Sequence, residues 1–90
     1  MEAADTLYDR IFGMIALERA RQIDKWGDDR GKPPILMATI LAEECGEVAR
    51  AALHRDRDQL REEAIQVAAV ACSIIAANMP DARPARKETT

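Results

Sequence analysis

The sequence predicts an all-α protein: a small bundle of three main helices that contains an antiparallel hairpin and is completed by oligomerisation. Apolar residues recur every three or four positions in three segments, and turn-forming residues separate those segments. Alanine is abundant and aromatic residues are few, which favours closely packed helices. A chain of 90 residues buries only about 60–65% of its unfolded surface. Because two cysteines provide no disulfide framework, we expect a homodimer or homotetramer to complete the core.

The first helix is predicted from about Thr6, its N-cap, to Lys25. One face of it is traced by Leu7, Ile11, Met14, Ile15 and Glu18. Residues 27–34 are rich in glycine and proline, so this segment is predicted to be a loop. Trp26 precedes the loop and has two interpretations. It could stack on a nucleobase, or it could seal the end of the first helix.

The second helix is predicted from roughly Ile35 to His54, with an apolar stripe formed by Met37, Leu41, Cys45, Val48 and Ala52. The third starts near Asp56, which forms a capping-box pattern with Gln59, and continues to about Asn78. Pro80 follows this helix. Residues 1–79 are therefore expected to form the helical domain, and residues 80–90 a polar, disordered tail.

Composition excludes several classes of function. The net charge is −3 with acids and bases interspersed, which argues against binding to a nucleic acid polymer or a membrane surface. The N-terminus has no cationic segment of the signal-peptide type, and no apolar run approaches the length of a membrane span. Cys45 and Cys72 lie in apolar helical stretches. We interpret them as small buried hydrophobes in a reducing, cytoplasmic environment.

The most informative pattern is a pair of polar residues on each arm of the predicted hairpin. Glu44 and Glu47 lie three residues apart, as do Glu63 and Gln66. Both cross-pairs, 44 with 66 and 47 with 63, are centred on residue 55, so a reversal near Arg55 would bring the four side chains together. Such oxygen ligands suit Mg²⁺, or alternatively Mn²⁺. The competing interpretation is that these are solvated faces of amphipathic helices.

The sequence also resembles a known family. The run LAEECGEVARAAL resembles the EExxE signature of the MazG-like all-α nucleoside triphosphate pyrophosphohydrolases, and LREEAIQVAAVACSII resembles their ExxD helix. The segment ERARQIDKWG is similar to the stretch before the loop in small MazG-like proteins. The resemblance covers about residues 17 to 78. It implies Mg²⁺-dependent hydrolysis of a nucleoside triphosphate to monophosphate and pyrophosphate, for cleansing or regulating the nucleotide pool.

The resemblance also implies roles for individual residues. Glu44, Glu47 and Glu63 match the metal-ligating glutamates. Glu43 matches the first glutamate of EExxE, which we expect either to support the metal ligands or to orient the attacking water. Gln66 stands where the motif has aspartate; its carbonyl oxygen can still bind a hard cation, but one negative charge is lost.

Two basic residues are candidates for substrate binding. Lys25 is expected to contact phosphate by the same resemblance. Arg61, in the arginine cluster around the turn, could bind phosphate or form ion pairs on a solvated surface. The alternative to an enzyme is a non-catalytic helical module that binds nucleotide or a protein partner through the same acidic groove.

Overall fold

The computed structural model of the chain describes residues 3–80, and the all-α prediction is confirmed. The three helices are α1 (Ala3–Trp26), α2 (Pro34–Leu53) and α3 (Arg57–Ala77). The predicted start of α1 is wrong, since Thr6 lies inside the helix rather than at its N-cap. Ala3 and Ala4 precede it, and alanine is the strongest helix former, so the helix extends towards the N-terminus. The predicted tail, apart from Pro80, lies outside the described residues.

The reversal between α2 and α3 lies at residue 55, as predicted. Arg55 has a left-handed φ of 56°. Its amide donates to the Ala52 carbonyl at 3.1 Å, while the Asp56 amide donates to the Ala51 carbonyl at 3.2 Å. This pair of bonds defines a Schellman motif, which satisfies the last carbonyls of α2.

Asp56 then caps α3, because its side chain accepts a hydrogen bond from the Gln59 amide at 3.0 Å. The reciprocal half of the predicted capping box is replaced by another contact. The Gln59 side chain donates to Glu63 at 2.6 Å instead. The N-cap prediction is confirmed, and the turn and the cap together fix how α2 and α3 face each other.

α3 is the central helix of the described fold, since it packs against both α2 and α1. The buried apolar residues of the described chain are small or flexible: Met37, Ala51, Ala69 and Val70. Ser73 is also buried, and its hydroxyl donates to the Val70 carbonyl at 2.7 Å. Alanine and serine at these positions let the helices approach closely.

The predicted stripe of α2 is partly wrong. Met37 is buried, but Cys45 and Ala52 are exposed, whereas Glu44 is half-buried and Ala51 is buried. Met37, Leu41 and Val48 stay on the packed face, while Glu44 and Ala51 take the places predicted for Cys45 and Ala52, each one residue earlier in the helix. Cys72 is also exposed because its neighbour Ser73 occupies the buried position. The expectation of two buried cysteines is therefore wrong, because each cysteine lies one residue away from a position on the packed face of its helix.

Much apolar surface stays outside this core. The exposed large apolar side chains are Leu7, Tyr8, Phe12, Met14, Leu17, Ile23, Trp26, Ile35, Leu36, Leu53, Ile75 and Met79. The radius of gyration is 15.3 Å, against roughly 12 Å for a compact domain of this length. None of the helices in residues 3–80 combines the length and the apolar character that crossing a bilayer requires.

Candidate functional site

Glu44 has the most unusual environment of any carboxylate in the described chain. Its Oε1 atom is buried and has no hydrogen-bond partner. Burial raises the pKa of this carboxyl, and the negative charges of Glu63, Glu47, Glu18 and Glu43 raise it further, in that order. An acceptor withdrawn from water and surrounded by like charges is a costly arrangement. A cation beside this oxygen would remove both costs.

Glu44 opens onto a cavity of about 320 Å³. Met37, Ile40 and Val70 form its apolar wall. Gln66 lies on the same cavity as Glu44, in agreement with the predicted pairing across the hairpin. The remaining lining residues come from α1 and the loop after it: Glu18, Arg21, Gln22, Trp26, Asp29 and Lys32.

The second predicted pair lies elsewhere. Glu47 and Glu63 share a smaller cavity of about 200 Å³ near the hairpin turn. Glu47 forms an ion pair with Arg50 at 3.3 Å, and Glu63 accepts the Gln59 hydrogen bond. The two members of each cross-pair therefore line one cavity, but the two pairs open onto different cavities. Within residues 3–80, no three side chains of the His, Cys, Asp or Glu types are close enough together to hold a metal ion.

The donor set nevertheless fits a hard divalent cation in its chemistry. Glu44 offers an oxygen with no partner, and the charges of Glu47 and Glu63 act on it. The present partners of those two residues are weak competitors, because the contacts between Glu47 and Arg50 and between Gln59 and Glu63 are exposed. An exposed ion pair contributes only about 0–1 kcal/mol. Loss of the exposed Glu47–Arg50 ion pair would therefore cost at most about 1 kcal/mol.

Glu18 and Gln22 belong to this site although the sequence did not assign them to it. The Glu18 side chain is only 13% exposed, and Arg21 binds it through two nitrogens at 2.9 and 2.7 Å. Gln22 is buried and donates to the same carboxylate at 3.1 Å. The hydrogen bond from Arg21 lowers the pKa of Glu18. A signal was present: Glu18 and Gln22 continue the apolar stripe of α1 with polar residues at helical spacing.

Of the three predicted substrate-binding residues, Trp26 lines the cavity, whereas Lys25 and Arg61 do not. Trp26 lines it and is 59% exposed, so it does not seal the end of α1. Lys25 lies over the Trp26 ring, with its Nζ 4.7 Å from the centroid. Arg61 forms an ion pair with Asp58 at 2.8 Å on the exposed surface of α3. Glu43, the proposed water-orienting residue, is exposed on α2.

The loop between α1 and α2 is fastened by a buried acid. Asp29 is 8% exposed and forms ion pairs with Lys32 at 2.6 Å and with Arg19 of α1 at 3.5 Å. Lys32 also donates to the Trp26 carbonyl at 3.4 Å. These contacts hold one side of the cavity against the end of α1. No motif in the sequence pointed to them.

No protein-family model, no curated protein and no solved structure matches this chain. The resemblance to the MazG-like enzymes therefore depends on the motifs quoted above, and a function has to be argued from the chemistry of the cavity.

Proposed function

We propose that this chain is a MazG-like, Mg²⁺-dependent pyrophosphohydrolase that converts a nucleoside triphosphate to its monophosphate and pyrophosphate. The observation that carries the proposal is the buried, unpartnered Oε1 of Glu44 beside a cavity. A buried acceptor without a donor is rare in folded proteins. A site that binds a cation explains why a glutamate occupies this position.

Glu44, Glu47 and Glu63 are the proposed ligands, and the carbonyl oxygen of Gln66 is the fourth. When bound, Mg²⁺ would supply charge neutralisation at the phosphates, which is the main requirement of phosphoryl-type chemistry. Glu43 is proposed to orient water. The apolar wall of the cavity and the exposed face of Trp26 suit a nucleobase, because a flat ring needs an apolar partner. Mn²⁺ is the alternative metal.

The same proposal includes a cytoplasmic homodimer or homotetramer. Its support is the large number of exposed apolar side chains on all three helices, together with the extended dimensions of the single chain. Exposed apolar surface of this extent is typical of protein–protein contacts.

A second candidate is a non-catalytic module that binds nucleotide or a protein partner through this groove. Gln66 favours it, because glutamine replaces the aspartate of the motif at the cavity and removes a charge from the metal site. Weakened metal binding would reduce hydrolysis and leave the shape of the cavity intact.

The test is pyrophosphate release from a panel of canonical ribonucleoside and deoxyribonucleoside triphosphates with Mg²⁺ or Mn²⁺. Glu44→Gln and Glu63→Gln should abolish turnover. Glu62→Gln is the matched control, since Glu62 is the exposed neighbour of Glu63 on α3, and it should retain activity.

Each other outcome has a distinct meaning. Absence of turnover, combined with metal-dependent thermal stabilisation by triphosphates, would select the binding module. Absence of both would reject the site. Turnover that survives in Glu44→Gln would reject the role of Glu44.

A further inference from the structure

We propose that Lys32, held in place by Asp29, is the lysine that contacts the polyphosphate of a bound nucleotide, and that Lys25 is not. This inference rests on the proposed function and assigns the phosphate contact to a residue of the loop between α1 and α2. It differs from the expectation for Lys25 that the family resemblance implies.

Position separates the two lysines. Lys32 lines the cavity onto which Glu44 and Gln66 open. Lys25 instead lies over the ring of Trp26, 4.7 Å from its centroid. An ammonium group in that position is already engaged by the π face of the ring. Lys32 is therefore the better placed of the two to meet a ligand inside the cavity.

Lys32 is also held in place while one of its hydrogens is left for a ligand. Its ammonium group has three N–H donors. One is directed to the Asp29 carboxylate at 2.6 Å and another to the Trp26 carbonyl at 3.4 Å. The third remains for a ligand, and the side chain is 34% exposed, so a ligand can reach it. Asp29 acts here as a positioning residue: it is buried and is fixed in turn by Arg19.

The charge of the cavity indicates when a polyphosphate would bind. Two basic side chains (Arg21 and Lys32) and three acidic ones (Glu18, Asp29 and Glu44) line it, which gives a formal balance of −1. One divalent cation changes that balance to +1. Arg21 is already held by Glu18 through two nitrogens. A polyphosphate should therefore enter together with a divalent ion. Lys32 offers it the N–H that Asp29 and Trp26 leave over, and Arg21 keeps three of its five N–H donors beyond the two held by Glu18.

The experiment is a calorimetric titration of the full chain with magnesium tripolyphosphate, a probe that has no base and no sugar. Lys32→Met should weaken binding by about tenfold, the usual effect of losing one hydrogen bond to a charged group. Lys32→Arg should restore most of the affinity because it retains the charge. Lys25→Met is the matched control and should bind like wild type.

Lys32→Gln is a second variant in case methionine disturbs the loop, since glutamine can still donate to Asp29; it should weaken binding as Lys32→Met does. Circular dichroism confirms the fold of each variant. Unchanged affinity in folded Lys32→Met or Lys32→Gln, an equal loss in Lys25→Met, or absence of binding by wild type would each overturn the inference.

The two proposals fail separately. Wild type that binds the probe through Lys32 but releases no pyrophosphate from any triphosphate would contradict the enzyme proposal alone. Turnover that is lost in Glu44→Gln but accompanied by unchanged binding of the probe in Lys32→Met would contradict only the role of Lys32.

Discussion

Replacing Glu44 by methionine should stabilise the metal-free protein. The variant removes a buried oxygen that has no hydrogen-bond partner and a charge that four other glutamates oppose. An unsatisfied buried polar group costs about 1–3 kcal/mol, and methionine fills a similar volume without it. We therefore expect the free energy of unfolding to rise by about 1–3 kcal/mol. In a domain of this size each kcal/mol raises Tm by roughly 4–8 °C.

The pH dependence of this gain has a definite sign. The pKa of Glu44 is raised in the folded state, so the folded protein binds this proton more tightly than the unfolded chain does. The free energy of unfolding of wild type is therefore furthest below that of Glu44→Met at pH values above the folded pKa of Glu44. The difference should shrink as pH falls through that pKa towards the ordinary value of 4.5. The pH dependence that Glu18 contributes has the opposite sign. Its pKa is lowered in the folded state, so its contribution to the free energy of unfolding is lost only as pH falls below 4.5.

The assay is urea unfolding in the presence of a chelator from pH 7 down to pH 5, with Glu43→Met as the control. Glu43 is the exposed neighbour of Glu44 on the same helix, and its replacement should change stability by less than about 0.5 kcal/mol. Magnesium should then narrow or reverse the stability difference between wild type and Glu44→Met, because only wild type keeps the Glu44 ligand. A ligand at about 100 times its Kd stabilises the protein that binds it by about 2.7 kcal/mol. If Glu44→Met is no more stable than Glu43→Met in chelator, the oxygen is satisfied in solution and the argument for a cation fails.

Three further predictions concern the hairpin. Asp56→Ala removes the N-cap of α3 and should cost about 0.5–2 kcal/mol in urea unfolding; an equal loss in Asp58→Ala would show that general first-turn charge, rather than the cap, is responsible. Arg55→Gly should stabilise the protein by about 1 kcal/mol because a left-handed φ of 56° is unfavourable for a residue with a side chain; a lower urea midpoint would contradict this. Gln66→Asp should tighten Mg²⁺ binding measured by calorimetry, and weaker binding would place residue 66 outside the metal site.

The hairpin could be predicted because its determinants are local. The cap residue Asp56 and the turn near Arg55 are adjacent in the sequence, and helical periodicity fixes which residues follow on each arm. The pairing of Glu44 with Gln66 followed from symmetry about that turn. The symmetry did not predict that the two pairs lie on different cavities. That separation depends on how the contacts of Glu47 and Glu63 direct their side chains.

The residues that α1 and the following loop contribute to the cavity, and the packed face of α2, could not be predicted because both depend on long-range packing. Helical spacing allowed the packed face of α2 to pass through either Cys45 or Glu44, and hydrophobicity favoured the cysteine. The contact with α3 selects the glutamate. Likewise Asp29 is an ordinary loop residue in the sequence, and only the approach of Arg19 and Lys32 makes it a buried anchor.

Arg55 and Glu44 both break local rules, and they differ in what compensates for them. Arg55 has an unfavourable backbone angle, but the turn that requires it supplies both hydrogen bonds of the Schellman motif. Glu44 places a carboxylate on a packed face, and its buried oxygen receives no hydrogen bond in return. A residue that violates a local rule without a compensating interaction in the fold is expected at a functional site. By this criterion Arg55 belongs to the architecture of the hairpin, whereas Glu44 is the residue at which we propose that a ligand supplies the missing partner.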